Sequence, residues 1–330
     1  MSRDGVASSW HMVDPELRAM AEAVPALALT NDTLAAFRAS VLLPSDLSEA
    51  ARQVSVIRRV IPRAGGGEVE LAVYRPPAAG PLGGVLHLHG GGFVSGSLSA
   101  SEPRNRTLAA DLGCVVVGVG YRLAPEHRFP AAIEDAYAGL DFIFRSAAEL
   151  GIDPRRIVLK GESAGGGLAA ALAIMARDRG EHRLALQHLT YPMLDDRTGS
   201  ESARPSSAGE FVWTAQQNAF AWTSLLGKMR GTEAVPPYAA AARASDLAGL
   251  PPTYIMTGAL DLFADEDIDY ARRLIEAGVP VELHVFPGAF HGFDIVEHAS
   301  VARAARAAGR AALARALAGP GPSEGVPDGE

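Results

Sequence analysis

Residues 155–180, RRIVLKGESAGGGLAAALAIMARDRG, decide how the rest of the chain is read. The first part is short and β-rich; the last part is an alanine- and leucine-rich run with helical character. Between them sits GESAGG, residues 161–166, with the spacing Gly-x-Ser-x-Gly. A sharp strand-to-helix turn needs small residues on both sides, because bulky ones clash at its strained dihedrals. Gly161, Gly165 and Gly166 meet that need, and such a turn projects the Ser163 oxygen above a sheet. The same pattern also serves as an ordinary glycine-rich turn, in a chain with 35 glycines. Glu162 raises a second question, since a negative charge beside Ser163 opposes formation of an alkoxide.

Outward from this turn, strand-like and helix-like stretches alternate. VSVIRRVIP and EVELAVYRP, separated by RAGGGE, read as an antiparallel hairpin at a sheet edge. GGVLHLHG is a strand ending in a glycine run, and CVVVGVGY is apolar enough to be buried on both faces. LALQHLTYPML, PPTYIMTG and PVELHVFPG complete a set of about eight strands, mostly parallel because helical crossovers separate them. Helices are expected near 99–112 and 130–150, the latter with Ile133, Tyr137, Leu140, Ile143 and Phe144 at helical spacing. Another runs through DEDIDYARRLIEAG and ends at Gly278. The arginines at 303, 306, 310 and 315 read as the solvated face of a last helix.

This is an α/β core, assigned to residues 51–194 and 249–318. Residues 195–248 hold no clear strand; with FVWTAQQNAFAWTSLLG they read as a helical insertion above the sheet. Helices within 1–50, broken near Pro25 and with Asn31 and Asp32 as caps, complete a cap with that insertion. The tail 319–330, GPSEGVPDGE at its end, is expected to be disordered.

Composition excludes several classes. With 48% hydrophobic residues the 330-residue chain can bury a large core, and its net charge of -8 without a Lys/Arg-rich run argues against nucleic acid. A single cysteine, Cys114, rules out an intramolecular disulfide and reads as a small core residue. No secretory signal is expected at the N-terminus and no stretch is apolar enough for a membrane span, so a cytoplasmic location is the expectation.

A serine nucleophile needs electrophilic help, a base and an acid. HLHGGGF supplies a second glycine run, Gly90 to Gly92, whose backbone N–H groups can approach an oxyanion; one such donor is worth about 3 kcal/mol. The competing reading is a flexible or phosphate-binding loop, but no Lys-Ser/Thr follows as a P-loop requires. His89, at a strand end, suits a structural hydrogen bond better than catalysis. His291, in FPGAFHGF, lies on a loop after the last strand, at the carboxyl ends where parallel sheets place their sites. Asp261 follows the strand containing TYIMTG, again at a carboxyl end. Asp265, Glu266 and Asp267 open the next helix, where capping and dipole compensation suit them. The chain order Ser163, Asp261, His291 is that of an α/β-hydrolase triad.

These motifs resemble the hormone-sensitive-lipase-like α/β-hydrolases, the bacterial family IV esterases. HGGGF at 89–93 is similar to the family's oxyanion loop. GYRLAPEHRFPAAIEDA at 120–136 is similar to its strand-loop-helix, and GESAGG to its nucleophile elbow. TGALDLFADED and FHGF resemble its acid and histidine loops. The likeness spans residues 54–297. It implies an eight-stranded, mostly parallel sheet flanked by helices with a helical cap. It also implies Ser163 as nucleophile, Asp261 as orienting acid and His291 as base, with the N–H groups of Gly91, Gly92 and Ala164 as oxyanion donors. Tyr121, Arg122 and His127 fall in a motif where structural support is the expected role. Family members hydrolyse short- or medium-chain carboxylic esters with no metal or cofactor, and many are homodimers. An amidase or deacetylase on the same triad, or a non-catalytic binding protein on the same fold, are the alternatives. Two positions depart from the pattern: Glu162 replaces the usual Asp or Thr, and Leu262 stands where a proline often follows the acid.

Overall fold

The computed structural model describes residues 8–24, 28–40, 47–200 and 207–319. Helices α1 (Arg18–Ala23), α2 (Leu34–Ala39) and α3 (Glu49–Arg52) precede strands β1 (Ser55–Pro62), β2 (Glu68–Arg75) and β3 (Leu82–Leu88). Next come α4 (Leu98–Leu112), β4 (Val115–Gly120), α5 (Ala131–Arg145), α6 (Ala147–Leu150), β5 (Ile152–Glu162) and α7 (Ala164–Arg179). The chain continues through β6 (Leu186–Thr190), α8 (Ala215–Leu226), β7 (Thr253–Gly258), α9 (Ala264–Glu276), β8 (Val281–Phe286) and α10 (Ser300–Ala318).

The eight strands form one sheet in the order β1-β2-β4-β3-β5-β6-β7-β8. Only β2 runs antiparallel to its neighbours, β1 and β4; all other pairs are parallel. The expected hairpin is present and sits at the edge. There β1 leaves Ile57 and Val60 exposed, as a strand without a second neighbour does. β4, VVVGVG, is buried along all but its last residue.

Successive residues of a strand face opposite sides of the sheet, so each central strand feeds two cores. Leu86 and Leu159 join one core with α5, α7 and α9, while their neighbours Val85 and Val158 join the other with α4 and α10. Burying both faces explains why the central strands read as nearly continuous apolar runs. Parallel strands all end on the same side, and β3, β5, β6 and β7 therefore present their following loops together.

Three local expectations are corrected. The N-cap of α2 is Thr33, not Asn31 or Asp32; the Thr33 hydroxyl instead donates to the Ala28 carbonyl at 2.8 Å, closing the preceding turn. Arg303, Arg310 and Arg315 of α10 are exposed as expected, and only Arg306 departs from a solvated face. Arg306 is half-buried and donates to the carbonyls of Asp294 and Glu297, while Arg310 and Arg315 pair with Asp111 and Glu282. Glu266 is buried and accepts from the backbone N–H groups of Leu194 (2.6 Å) and Asp195, and from the Thr198 hydroxyl, so it braces the start of the 195–248 segment rather than capping α9.

That segment contributes α8 and carries Trp213 and Trp222 into the α5–α7 core. Arg243 and the fully buried Asp196 hold its two ends together at 2.7 and 3.0 Å. At the other terminus Ser8 and Ser9 bond to Glu210, so the N-terminal region packs on the same segment. Cys114 is buried just before β4. Residues 320–330, expected to be disordered, lie outside the described residues. Among the described residues no helix is long and apolar enough to cross a membrane.

Candidate active site

β5 ends at Glu162 and α7 begins at Ala164, so the whole reversal falls on Ser163. Its dihedrals, φ 55° and ψ -122°, are unfavourable for a residue with a Cβ. The surrounding glycines make the turn possible. A Cβ on Gly161 would lie 2.1 Å from the Gly165 carbonyl oxygen, and one on Gly165 would lie 2.1 Å from that of Leu88. A glycine inside a helix costs about 1 kcal/mol relative to alanine; here it lets α7 lie directly against the end of β3.

The loop after β8 brings His291 to this turn. Its Nε2 lies 2.9 Å from Ser163 Oγ and its Nδ1 lies 2.8 Å from Asp261 Oδ2. A proton on Nδ1 satisfies both contacts: the ring donates to the carboxylate and accepts from the serine hydroxyl. Asp261 also accepts from the Phe263 backbone N–H at 3.0 Å, which fixes the carboxylate. All three residues are buried. Leu262, in the place of the family's frequent proline, leaves Asp261 within this chain of bonds.

Gly91 and Gly92 lie in the loop after β3, with φ of 122° and 60°. A Cβ on Gly91 would sit 2.3 Å from the Ser95 carbonyl oxygen, and one on Gly92 2.5 Å from the Trp213 ring. Neither their N–H groups nor that of Ala164 has a protein acceptor among the described residues. Ala164 is the first residue of α7, so its N–H carries the positive end of the helix dipole. The three come from two elements, the loop after β3 and the first turn of α7.

Aromatic side chains from remote segments surround the His291 ring. Phe263 meets the His291 ring edge-on at 5.2 Å, Tyr191 lies 4.6 Å from it, and Trp213 lies 6.2 Å from it. Phe93 packs on Trp222 at 5.5 Å. Trp222 lies in α8, and Phe93, Tyr191, Trp213 and Phe263 each come from a different loop, so no local pattern links these positions.

The remaining named residues are supports. His89 stacks on Tyr121 at 4.2 Å and contacts the Gly90 carbonyl at 2.9 Å; burial lowers its pKa to about 4, so the ring is neutral at pH 7. The Tyr121 hydroxyl donates to the His89 carbonyl at 2.7 Å. Arg122 makes a forked contact with Asp135, which also pairs with Arg63. His127 is exposed and distant from this chain of bonds.

Glu162 turns to the opposite side of the sheet from Ser163. Its carboxylate lies 2.8 Å from His87 Nε2 and pairs with Lys160. Burial opposes its charge, but His87 and Lys160 outweigh that and hold the carboxyl well below the usual carboxylate range. Asp267 is the contrary case. It is fully buried, and neither carboxyl oxygen has a protein hydrogen-bond partner. Burial, then the charges of Glu266 and Asp261, push its pKa well above the ordinary value. Its expected role in capping α9 is therefore corrected.

The sheet, the strained serine turn and the loops at the strand ends define an α/β hydrolase. A family model described as the alpha/beta hydrolase fold matches residues 85–295. Carboxylesterase NlhH of Mycobacterium tuberculosis is 35% identical over 309 residues, 92% of this chain and 96% of the relative. Esterase LipI of the same organism is 36% identical, with 92% and 94% covered. Among solved structures, a bacterial heroin esterase superposes with a TM-score of 0.85 at 40% identity, covering 94% of this chain and 99% of its own. Esterase LipW from Mycobacterium marinum gives 0.78 at 35% identity, with 93% and 96% covered. The chain belongs to the α/β-hydrolase family, in its hormone-sensitive-lipase-like branch, and is a carboxylic ester hydrolase.

Proposed function

We propose that this enzyme hydrolyses short- to medium-chain carboxylic esters through an acyl-enzyme on Ser163. The observation that carries the reading is the bonded chain from Asp261 through His291 to Ser163 Oγ. Ser163 attacks the ester carbonyl as His291 Nε2 takes its proton. Asp261 holds the ring and balances the imidazolium. The N–H groups of Gly91, Gly92 and Ala164 receive the oxyanion, the last with the α7 dipole behind it. His291 returns the proton to the departing alcohol, then activates water to release the acid.

The acyl chain is placed beside Phe93, whose side chain sets how much room is open there. An apolar cavity of about 10 Å³ lies there, lined by Phe93, Ile133, Leu168 and Leu225 among others, about the room for a single water. Residues 1–50 and 195–248 act as the cap, bringing Trp213 to 6.2 Å from the His291 ring and packing Trp222 on Phe93. A cytoplasmic homodimer that takes small-molecule esters completes the proposal. The test is turnover of p-nitrophenyl esters of increasing acyl length by the native chain and by Ser163→Ala. Turnover retained in the variant overturns the assignment of Ser163.

A further inference from the structure

A cavity of about 590 Å³ lies between α4, α10 and the sheet, and His291 is not among its lining residues. That volume falls within the roughly 300–1,000 Å³ typical of small-molecule sites. Its floor is polar: His87, Lys160, Glu162, His188 and Thr190 come from β3, β5 and β6. Leu108, Ile295 and Leu313 make part of the wall apolar.

Two of the polar side chains facing it keep donor capacity to spare. His188 is 3% exposed, stacks on Tyr254 at 4.4 Å, and has no protein partner on either ring nitrogen. Gly309 of α10 keeps the room for that ring, since a Cβ there would lie 3.0 Å from His188 Nε2. Arg104 makes no ion pair among the described residues; it hydrogen-bonds to the Tyr191 side chain and its charge is felt by Asp294 and Glu162, and the five donors of a guanidinium leave capacity beyond that contact. Most of the acidic groups, by contrast, are engaged. Glu162 is held by His87 and Lys160, Asp111 by Arg310, and Asp294 by the Tyr191 hydroxyl at 2.6 Å. The open capacity is therefore for an acceptor, and a planar guanidinium suits a two-oxygen anion. The apolar wall suits an organic body attached to it.

The cavity also touches the catalytic candidates from behind. Glu162 is the residue before Ser163. Asp294 holds the hydroxyl of Tyr191, whose ring packs on His291. We propose that this cavity is a second ligand site, for a small organic carboxylate, and that its occupancy alters turnover at Ser163. Arg104 receives the carboxylate and His188 hydrogen-bonds to it. The signal passes through Glu162 and the Asp294–Tyr191 contact.

The test uses benzoate as probe and enzyme phosphonylated at Ser163, so that the substrate pocket is closed. Calorimetry is expected to show one saturable benzoate site. Arg104→Met and Thr107→Trp, the latter filling the cavity from α4, each weaken it by about tenfold or more. Thr107→Trp is expected to leave basal ester turnover intact. In unblocked enzyme, benzoate is expected to change kcat rather than act only on KM. The proposal is overturned by absence of binding in the blocked enzyme, by binding unmoved in both variants, by inorganic phosphate binding equally well, or by purely competitive kinetics. A chain that takes up no phosphonate fails the esterase mechanism instead; the titration is then read on untreated protein, so the two failures are told apart.

Discussion

Glu162 and Ser163 are neighbours in the chain, yet their side chains leave the backbone on opposite sides of the sheet. Ser163 Oγ meets His291 at 2.9 Å, while the Glu162 carboxylate meets His87 at 2.8 Å and pairs with Lys160. The negative charge is thus neutralised by partners the nucleophile does not share. The apparent conflict in GESAGG comes from reading adjacency in sequence as adjacency in space.

Glu162→Gln is expected to lower stability by about 3 kcal/mol, since it leaves Lys160 with no opposing charge in a buried setting. Acylation by a p-nitrophenyl ester should fall by less than about tenfold. Because the folded-state pKa of Glu162 is depressed, its contribution is present above the ordinary value of about 4.5 and is lost as pH falls through the folded value. Denaturant melts from pH 7 down to pH 3 should therefore show the native protein losing its advantage over the variant. Loss of acyl-enzyme formation at unchanged stability would refute a purely supporting role.

Asp267→Asn is expected to stabilise the protein at pH 8, because the amide cannot ionise and so removes the advantage that a raised folded pKa gives the unfolded chain at alkaline pH. The sign is opposite to that of Glu162. A raised folded pKa favours the folded state below the unfolded value, and that benefit disappears as pH rises. The gain should shrink on acidification. A variant no more stable than the parent at pH 8 contradicts the unpartnered state of Asp267.

Asp261→Asn is expected to reduce kcat by about 10⁴-fold, because the amide favours the wrong tautomer of His291. Labelling of Ser163 by a fluorophosphonate should slow in parallel, while melting temperature moves little. Near-normal kcat would remove Asp261 from the mechanism.

Gly91→Ala places a methyl 2.3 Å from a backbone oxygen at φ 122°, and nothing nearby can yield. Gly92→Ala meets the outer edge of the Trp213 ring at 2.5 Å. Both should lower kcat by about 10²-fold or more. Only the second should recover in part when Trp213 is replaced by Leu. Equal recovery in the two double variants would show that the backbone clash at Gly91 does not decide the loss.

Phe93→Ala is expected to widen the small cavity behind it and move the preferred acyl chain to greater length, at a stability cost of about 3 kcal/mol or more. A kinetic series from acetate to decanoate esters reads the shift. An unchanged optimum places the acyl chain elsewhere.

The chain by itself determined the class of fold. Continuous apolar runs mark strands buried on both faces, and the helical spacing between them demands parallel crossovers; the sheet follows because little else buries both patterns. It also marked Ser163, Asp261 and His291 as candidates, since each follows a strand and parallel strands end on one side. Tertiary structure decided what depends on direction and on contacts between remote segments. The aromatic walls from Tyr191, Trp213 and Phe263 converge on His291 from three loops. Glu266 and Asp267, adjacent acids at a helix start, meet entirely different surroundings: one braces backbone amides, the other is buried without a protein partner. Capping was a sound reading of the local sequence, but burial overrode it. The same limit applied to GESAGG, where only the fold of the elbow could send Glu162 to one side of the sheet and Ser163 to the other.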